Sequence, residues 1–188
     1  HPEAGLRYQG YARALREVIR PTVEGMAKDG IPYTGFLYAG LMLAPDGSIK
    51  TLEFNCRMGD PETQPIMLRL KSDFVALAEH AVNGTLDKVE AEWDRRTALG
   101  VVMASAHYPD TPRLGDEITG LPKDLTDAQV FHAGTQLKDG KVVTSGGRVL
   151  CVTALGDTVK FAQQQAYKIV GEIQFNGAQY RTDIGFRA

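Results

Sequence analysis

The segment LEFNCRMGDPETQ, residues 52–64, sets an acid, an amide and a guanidinium at alternate positions: Glu53, Asn55 and Arg57. In an extended strand such residues share one face, about 7 Å apart per two-residue step. A carboxylate and an amide oxygen are hard ligands that suit Mg²⁺ when phosphate oxygens complete its shell. An arginine one step further offers a planar fork of donors to phosphate, and its charge cannot be titrated away. Metal ligands followed by a phosphate clamp fit phosphoryl transfer, where catalysis is mostly positioning and charge stabilisation. The same alternation is what a half-exposed strand with a solvated polar face displays. Asp60-Pro61-Glu62 reads equally as a turn whose acids favour the start of a helix. Spacing alone leaves both readings open. On the other face, Leu52, Phe54 and Cys56 are expected in the core.

A second segment, TSGGRVL at 144–150, has two readings of its own. Gly146 and Gly147 would let backbone N–H groups approach an anion, with Arg148 adding charge. Alternatively they form a glycine-rich hairpin connection. His107 and His132 flank strands and are given no role.

The elements that must position these residues follow from periodicity and turn chemistry. From Leu6 to Met26 apolar residues recur at helical spacing, with Tyr11, Leu15, Val18, Ile19, Val23 and Met26 on one face. Pro21 lies inside that pattern and predicts a kink or a junction of two helices. YTGFLYAGLML and IKTLEFN, joined by Pro45-Asp46-Gly47, predict a β-hairpin. The first strand is apolar on both faces and is expected to be central and covered. Pro65 is expected to open a helix, and Ser72 or Asp73 to cap a second one ending at Asn83-Gly84. Thr85 to Arg96 is charge-rich, so a boundary is placed there, dividing the chain into 1–90 and 91–188. Beyond it, ALGVVMASA, QVFHAGT, KVVTS and RVLCVTALG read as short strands. A final helix starts from Asp157, its expected cap, with Ala162, Ala166, Ile169, Val170 and Ile173 as its apolar stripe.

Totals narrow the function classes. A hydrophobic content of 43% over 188 residues allows a packed core, and the net charge of −2 gives no general pull toward nucleic acid or acidic membranes. No dense basic run appears, and no apolar stretch approaches the ~20 residues that span a bilayer. Cys56 and Cys151 stand far apart in unlike contexts, which predicts reduced thiols rather than a disulfide or metal set. A soluble, cytoplasmic protein is expected, binding neither nucleic acid nor membrane. The opening HPEAGLRYQG has no initiator methionine and no signal-peptide pattern, so an internal starting point is expected.

Five blocks, YTGFLYAGLML, LEFNCRMGDPETQPIMLRLKSD, LGVVMASAHYP, VFHAGT and VVTSGGRVLCVTALG, resemble in order and spacing the C-terminal part of the phosphoribosylamine–glycine ligase family, within the ATP-grasp superfamily. The resemblance runs from about Ala12 onward, and RMGDPETQ is its most specific segment. It implies an α+β chain: an ATP-grasp C-terminal lobe of antiparallel sheet and helices at 1–90, then a small β-rich domain closed by one helix at 91–188. It further implies an ATP-dependent ligase of purine biosynthesis that joins glycine to 5-phosphoribosylamine through a glycyl phosphate. Glu53 and Asn55 match that family's Mg²⁺ or Mn²⁺ ligands. Arg57 would neutralise the transferring phosphoryl group, and Asp60 would lie close to glycine or the amine. Gly146, Gly147 and Arg148 are candidate substrate contacts. Many ATP-grasp enzymes place another metal carboxylate on the preceding strand, and FLYAGLML has none. The N-terminal domain and the lid that covers ATP are expected as partners absent from these residues, so the chain alone is expected to be inactive. Two other readings remain: a ligase of another ATP-grasp subfamily acting on a different acid or amine, and a non-catalytic binding module reusing the lobe.

Overall fold

The computed structural model describes residues 10–186. Leu6, the first residue of the expected apolar stripe, lies outside them. The described residues form two compact units, one within residues 10–59 and 75–89, the other within 60–74 and 90–186. Both are mixtures of helix and antiparallel sheet, the α+β class read from the sequence.

In the first unit, residues 10–28 are helical. A π turn at Leu15–Ile19 runs into helix α1, Arg20–Lys28. Pro21 lies within this continuous helical run, and the wide π turn just ahead of it takes up the irregularity that its missing N–H introduces. Of the expected apolar face only Val18 is buried. Strands β1, Tyr38–Leu43, and β2, Ile49–Asn55, pair antiparallel as the hairpin that Pro45-Asp46-Gly47 predicts. In the turn, the Gly47 and Ala44 N–H groups donate to Ala44 O and Ser48 O at 2.8 and 2.9 Å.

Two expectations fail in this hairpin. β1 has β2 as its only partner among the described residues, so it is an edge strand rather than a central one. Leu52 and Phe54 are 64% and 44% exposed, and Cys56 is exposed as well. Alternation separates an apolar face from a polar one, but burial requires a second layer, and none covers this face among the described residues. Helix α3, Phe74–Val82, completes the regular structure of the unit apart from one short 3₁₀ turn, Leu86–Lys88.

The second unit holds the core. Strands β3, Thr97–Ala104, β4, Ala128–His132, and β7, Arg148–Gly156, form an antiparallel sheet with β7 in the middle. Strands β5, Thr135–Lys138, and β6, Lys141–Thr144, form a separate hairpin. Helix α4, Val159–Glu172, lays Ala162, Ala166, Ile169 and Val170 on the sheet, where they bury Leu99, Val101, Met103, Leu150 and Val152. The apolar stripe at 3.6-residue spacing is therefore core, as its periodicity predicts. On the opposite face, a Cβ at Gly100 would lie 3.1 Å from Cys151 Sγ and 3.3 Å from Cγ of Pro65, in helix α2, Thr63–Arg69.

Helix starts differ in detail from expectation. The cap of α4 is Thr158 rather than Asp157: the Thr158 side chain accepts from Phe161 N–H at 3.1 Å. Thr158 has the extended φ/ψ that a cap requires. α2 opens at Thr63, two residues before Pro65. The Ser72 hydroxyl accepts from the Glu92 N–H at 2.7 Å.

Candidate functional site

β2 presents Glu53 and Asn55 on one side of the strand, two residues apart, as alternation requires. The register sets Glu53 opposite Gly40, and a Cβ at position 40 would stand 3.1 Å from Glu53 Cγ. Glycine at 40 thus leaves a lane for the stem of Glu53. With Tyr38, Ala39, Gly40, Leu41 and Leu52, Glu53 lines an open groove of about 570 Å³. Asn55 is half-buried at the end of β2, and its Nδ2 is buried without a hydrogen-bond partner. Its Oδ1 faces Arg57, whose Nη2 approaches to 3.4 Å. The exposed guanidinium also donates to Met58 O at 3.0 Å, so Arg57 curls back along the chain.

This donor set fits a hard cation only in part. Glu53 supplies a carboxylate and Asn55 an amide oxygen, yet no group of three or more His, Cys, Asp or Glu that could hold a metal occurs among the described residues. Two protein ligands match a Mg²⁺-type ion that keeps waters and takes its remaining ligands from phosphates.

Asp60 belongs to the second unit, as do Gly146, Gly147 and Arg148. Arg148 Nη2 pairs with Asp60 Oδ2 at 3.0 Å, with both side chains nearly half exposed. Two segments far apart in sequence thus meet in an ion pair. The local backbone explains how. Met103 faces Leu150 across β3 and β7, but Ala104 faces Arg148, so Val149 is skipped. Such a bulge re-aims the neighbouring side chain.

The TSGGR loop is held from two sides. The Ser145 N–H donates to Gly134 O at 2.7 Å, and the Gly134 N–H to Arg148 O at 2.9 Å. A Cβ at Gly134 would lie 2.6 Å from Gly146 Cα, and one at Gly147 would lie 2.5 Å from Cδ2 of Tyr108. The glycines are therefore demanded by close packing. Neither Gly146 nor Gly147 has a positive φ, so the loop lacks the alternating-hand backbone of an anion nest.

Ser105, fully buried just after β3, donates its hydroxyl to Gly146 O at 2.7 Å and its N–H to Gly147 O at 2.8 Å. Its carbonyl accepts from Gln179 Nε2 at 2.7 Å. Ser105 and Tyr108 fall within the LGVVMASAHYP block, but nothing in the sequence gives them or Gln179 a role, because a lone polar residue beside a strand carries no pattern. Glycine inside the apolar run of β1 is the one local cue for close approach at Gly40. His132 Nδ1 lies 2.9 Å from Thr135 Oγ1, a local structural contact.

Residues 5–63 match the family model described as phosphoribosylglycinamide synthetase, ATP-grasp (A) domain, and residues 98–187 match the C domain of the same synthetase. The phosphoribosylamine–glycine ligase of Ralstonia nicotianae is 67% identical over 178 residues, 95% of this chain and 42% of the relative. That of Haemophilus influenzae is 58% identical over 179 residues, with the same two shares. The crystal structure of the phosphoribosylamine–glycine ligase from Thermotoga maritima superposes with a TM-score of 0.82 at 41% identity, covering 92% of this chain and 42% of that one. The chain thus spans about two fifths of the length of the relatives it matches. With A-domain sequence followed in order by the C domain, the chain belongs to the phosphoribosylglycinamide synthetase family.

Proposed function

We propose that these residues serve an ATP-dependent ligase of purine biosynthesis, acting in the cytoplasm, that joins glycine to 5-phosphoribosylamine. In this reaction the glycine carboxylate takes the γ-phosphoryl group of ATP, giving glycyl phosphate and ADP. The amine of 5-phosphoribosylamine then attacks the acyl carbon, and phosphate leaves with formation of glycinamide ribonucleotide. The observation that carries the reading is the 67% identity with a phosphoribosylamine–glycine ligase over 95% of the chain.

Within that reaction Glu53 and Asn55 would hold the Mg²⁺ or Mn²⁺ ion, which when bound offsets charge on the ATP phosphates. Arg57 donates to the phosphoryl oxygens as charge shifts between them. Asp60 orients glycine or the attacking amine, and the loop of Gly146, Gly147 and Arg148 contacts the substrate. The partners are ATP, glycine and 5-phosphoribosylamine, together with the N-terminal and lid parts of such an enzyme. The boundary between the ATP-grasp lobe and the small C-terminal domain is placed at 90/91.

The test grafts the 188 residues in place of the matching part of the Ralstonia nicotianae relative. The graft is expected to form ADP only when glycine is supplied, and to convert phosphoribosylamine. ATP cleavage that ignores glycine but follows another acid would assign a different ATP-grasp ligase. A folded graft that turns over nothing would favour a non-catalytic module. Independently of turnover, Glu53→Gln should weaken Mn²⁺ binding by about tenfold or more, read by electron paramagnetic resonance. Unchanged Mn²⁺ affinity removes Glu53 from the ligand set.

A further inference from the structure

We infer that Ser105, backed by Gln179, is a positioning residue for Arg148. The inference rests on the reading of Arg148 as a substrate contact and adds how its guanidinium is aimed. Arg148 is the first residue of β7, and two glycines precede it. Glycines surrender more backbone freedom on ordering than any other residue, so such a loop needs anchors if the side chain after it is to hold one direction. One anchor is the Gly134 backbone, which bonds Ser145 and Arg148.

The other anchor is Ser105. It makes two hydrogen bonds to two successive loop carbonyls, from its hydroxyl to Gly146 and from its N–H to Gly147. Both acceptors immediately precede Arg148, and Ser105 is fully buried, so water cannot easily replace the hydroxyl. Ser105 is itself fixed from behind, by Gln179 Nε2 on its carbonyl and by the paired backbones of Ala104 and Gln179. The line runs Gln179, Ser105, Gly146–Gly147, Arg148, Asp60, and every link is a hydrogen bond, a peptide bond or an ion pair. Tyr108, three residues after Ser105, closes the remaining side by packing its ring on Gly147.

The experiment uses the grafted ligase and measures kcat and KM for glycine and for phosphoribosylamine separately. Arg148→Lys identifies which substrate the guanidinium contacts, through a rise in that KM. Ser105→Ala is expected to raise the same KM about five- to tenfold, the loss of one hydrogen bond, with kcat held within about twofold. Ser105→Thr, which keeps the hydroxyl, should restore most of the loss. Gln179→Ala alters an exposed residue, so it reports even if Ser105→Ala does not fold, and a rise of about threefold in the same KM is expected. If Arg148→Lys raises a KM while Ser105→Ala and Gln179→Ala leave both KM values unmoved, the positioning role is overturned and the Arg148 reading stands. If Arg148→Lys moves neither KM, that reading falls and the inference with it.

Discussion

At the scale of single residues, identical side-chain types behave differently because of what surrounds them. Cys56 is exposed, whereas Cys151 is buried within the sheet, and its burial pushes the thiol above the ordinary cysteine range. Only the thiolate reacts with alkylating agents, so accessibility and pKa act in the same direction. Iodoacetamide at pH 8 should therefore add a single label to the folded chain, at Cys56, with Cys151 labelled only after denaturation. Two labels on the native protein, seen by intact mass, would refute this. Gly147 gives a second test. Alanine there would drive a methyl into the Tyr108 ring, with Pro112 Cγ at 3.3 Å on another side. Overpacking of this kind costs roughly 1–3 kcal/mol, and the urea midpoint of Gly147→Ala should fall accordingly.

At the scale of elements, ends and junctions govern stability. Helix α4 starts from Thr158, whose side chain caps Phe161 N–H, so Thr158→Ala should cost about 1 kcal/mol. Asp157→Ala should cost clearly less, and equal losses in thermal unfolding would contradict the assignment of the cap. At the start of β3, Arg96 bonds Asp94 and also Asp127, just ahead of β4. Hydrogen bonds from the Arg96 side chain and backbone hold the Asp94 carboxyl well below the usual carboxylate range. A depressed pKa contributes stability above the unfolded pKa, near 4, and that contribution fades as pH falls toward the folded pKa. Asp94→Asn should thus be less stable than the parent at pH 7, with the gap in melting temperature closing progressively below about pH 4. A gap independent of pH would mean that the charge plays no part.

At the scale of the whole molecule, the second unit contains every buried hydrophobic residue among the described ones except Val18. Local stability follows buried apolar contacts. Amide hydrogen exchange should therefore be slowest in β3 and β7 and markedly faster in β1 and β2, and equal protection would contradict this division. The sequence by itself determined the order and type of most elements, the hairpin at Pro45-Asp46-Gly47, the α4 stripe, and the run of candidate residues from Glu53 to Arg57. These are local signals, carried by spacing of 2 or 3.6 residues and by turn chemistry. Tertiary structure alone decided the rest. It left Leu52 and Phe54 in solvent, because alternation marks an apolar face but not whether a layer covers it. It paired Asp60 with Arg148 and set Ser105 under the glycine loop, because the β7 bulge and the strand register join residues with no spacing in common.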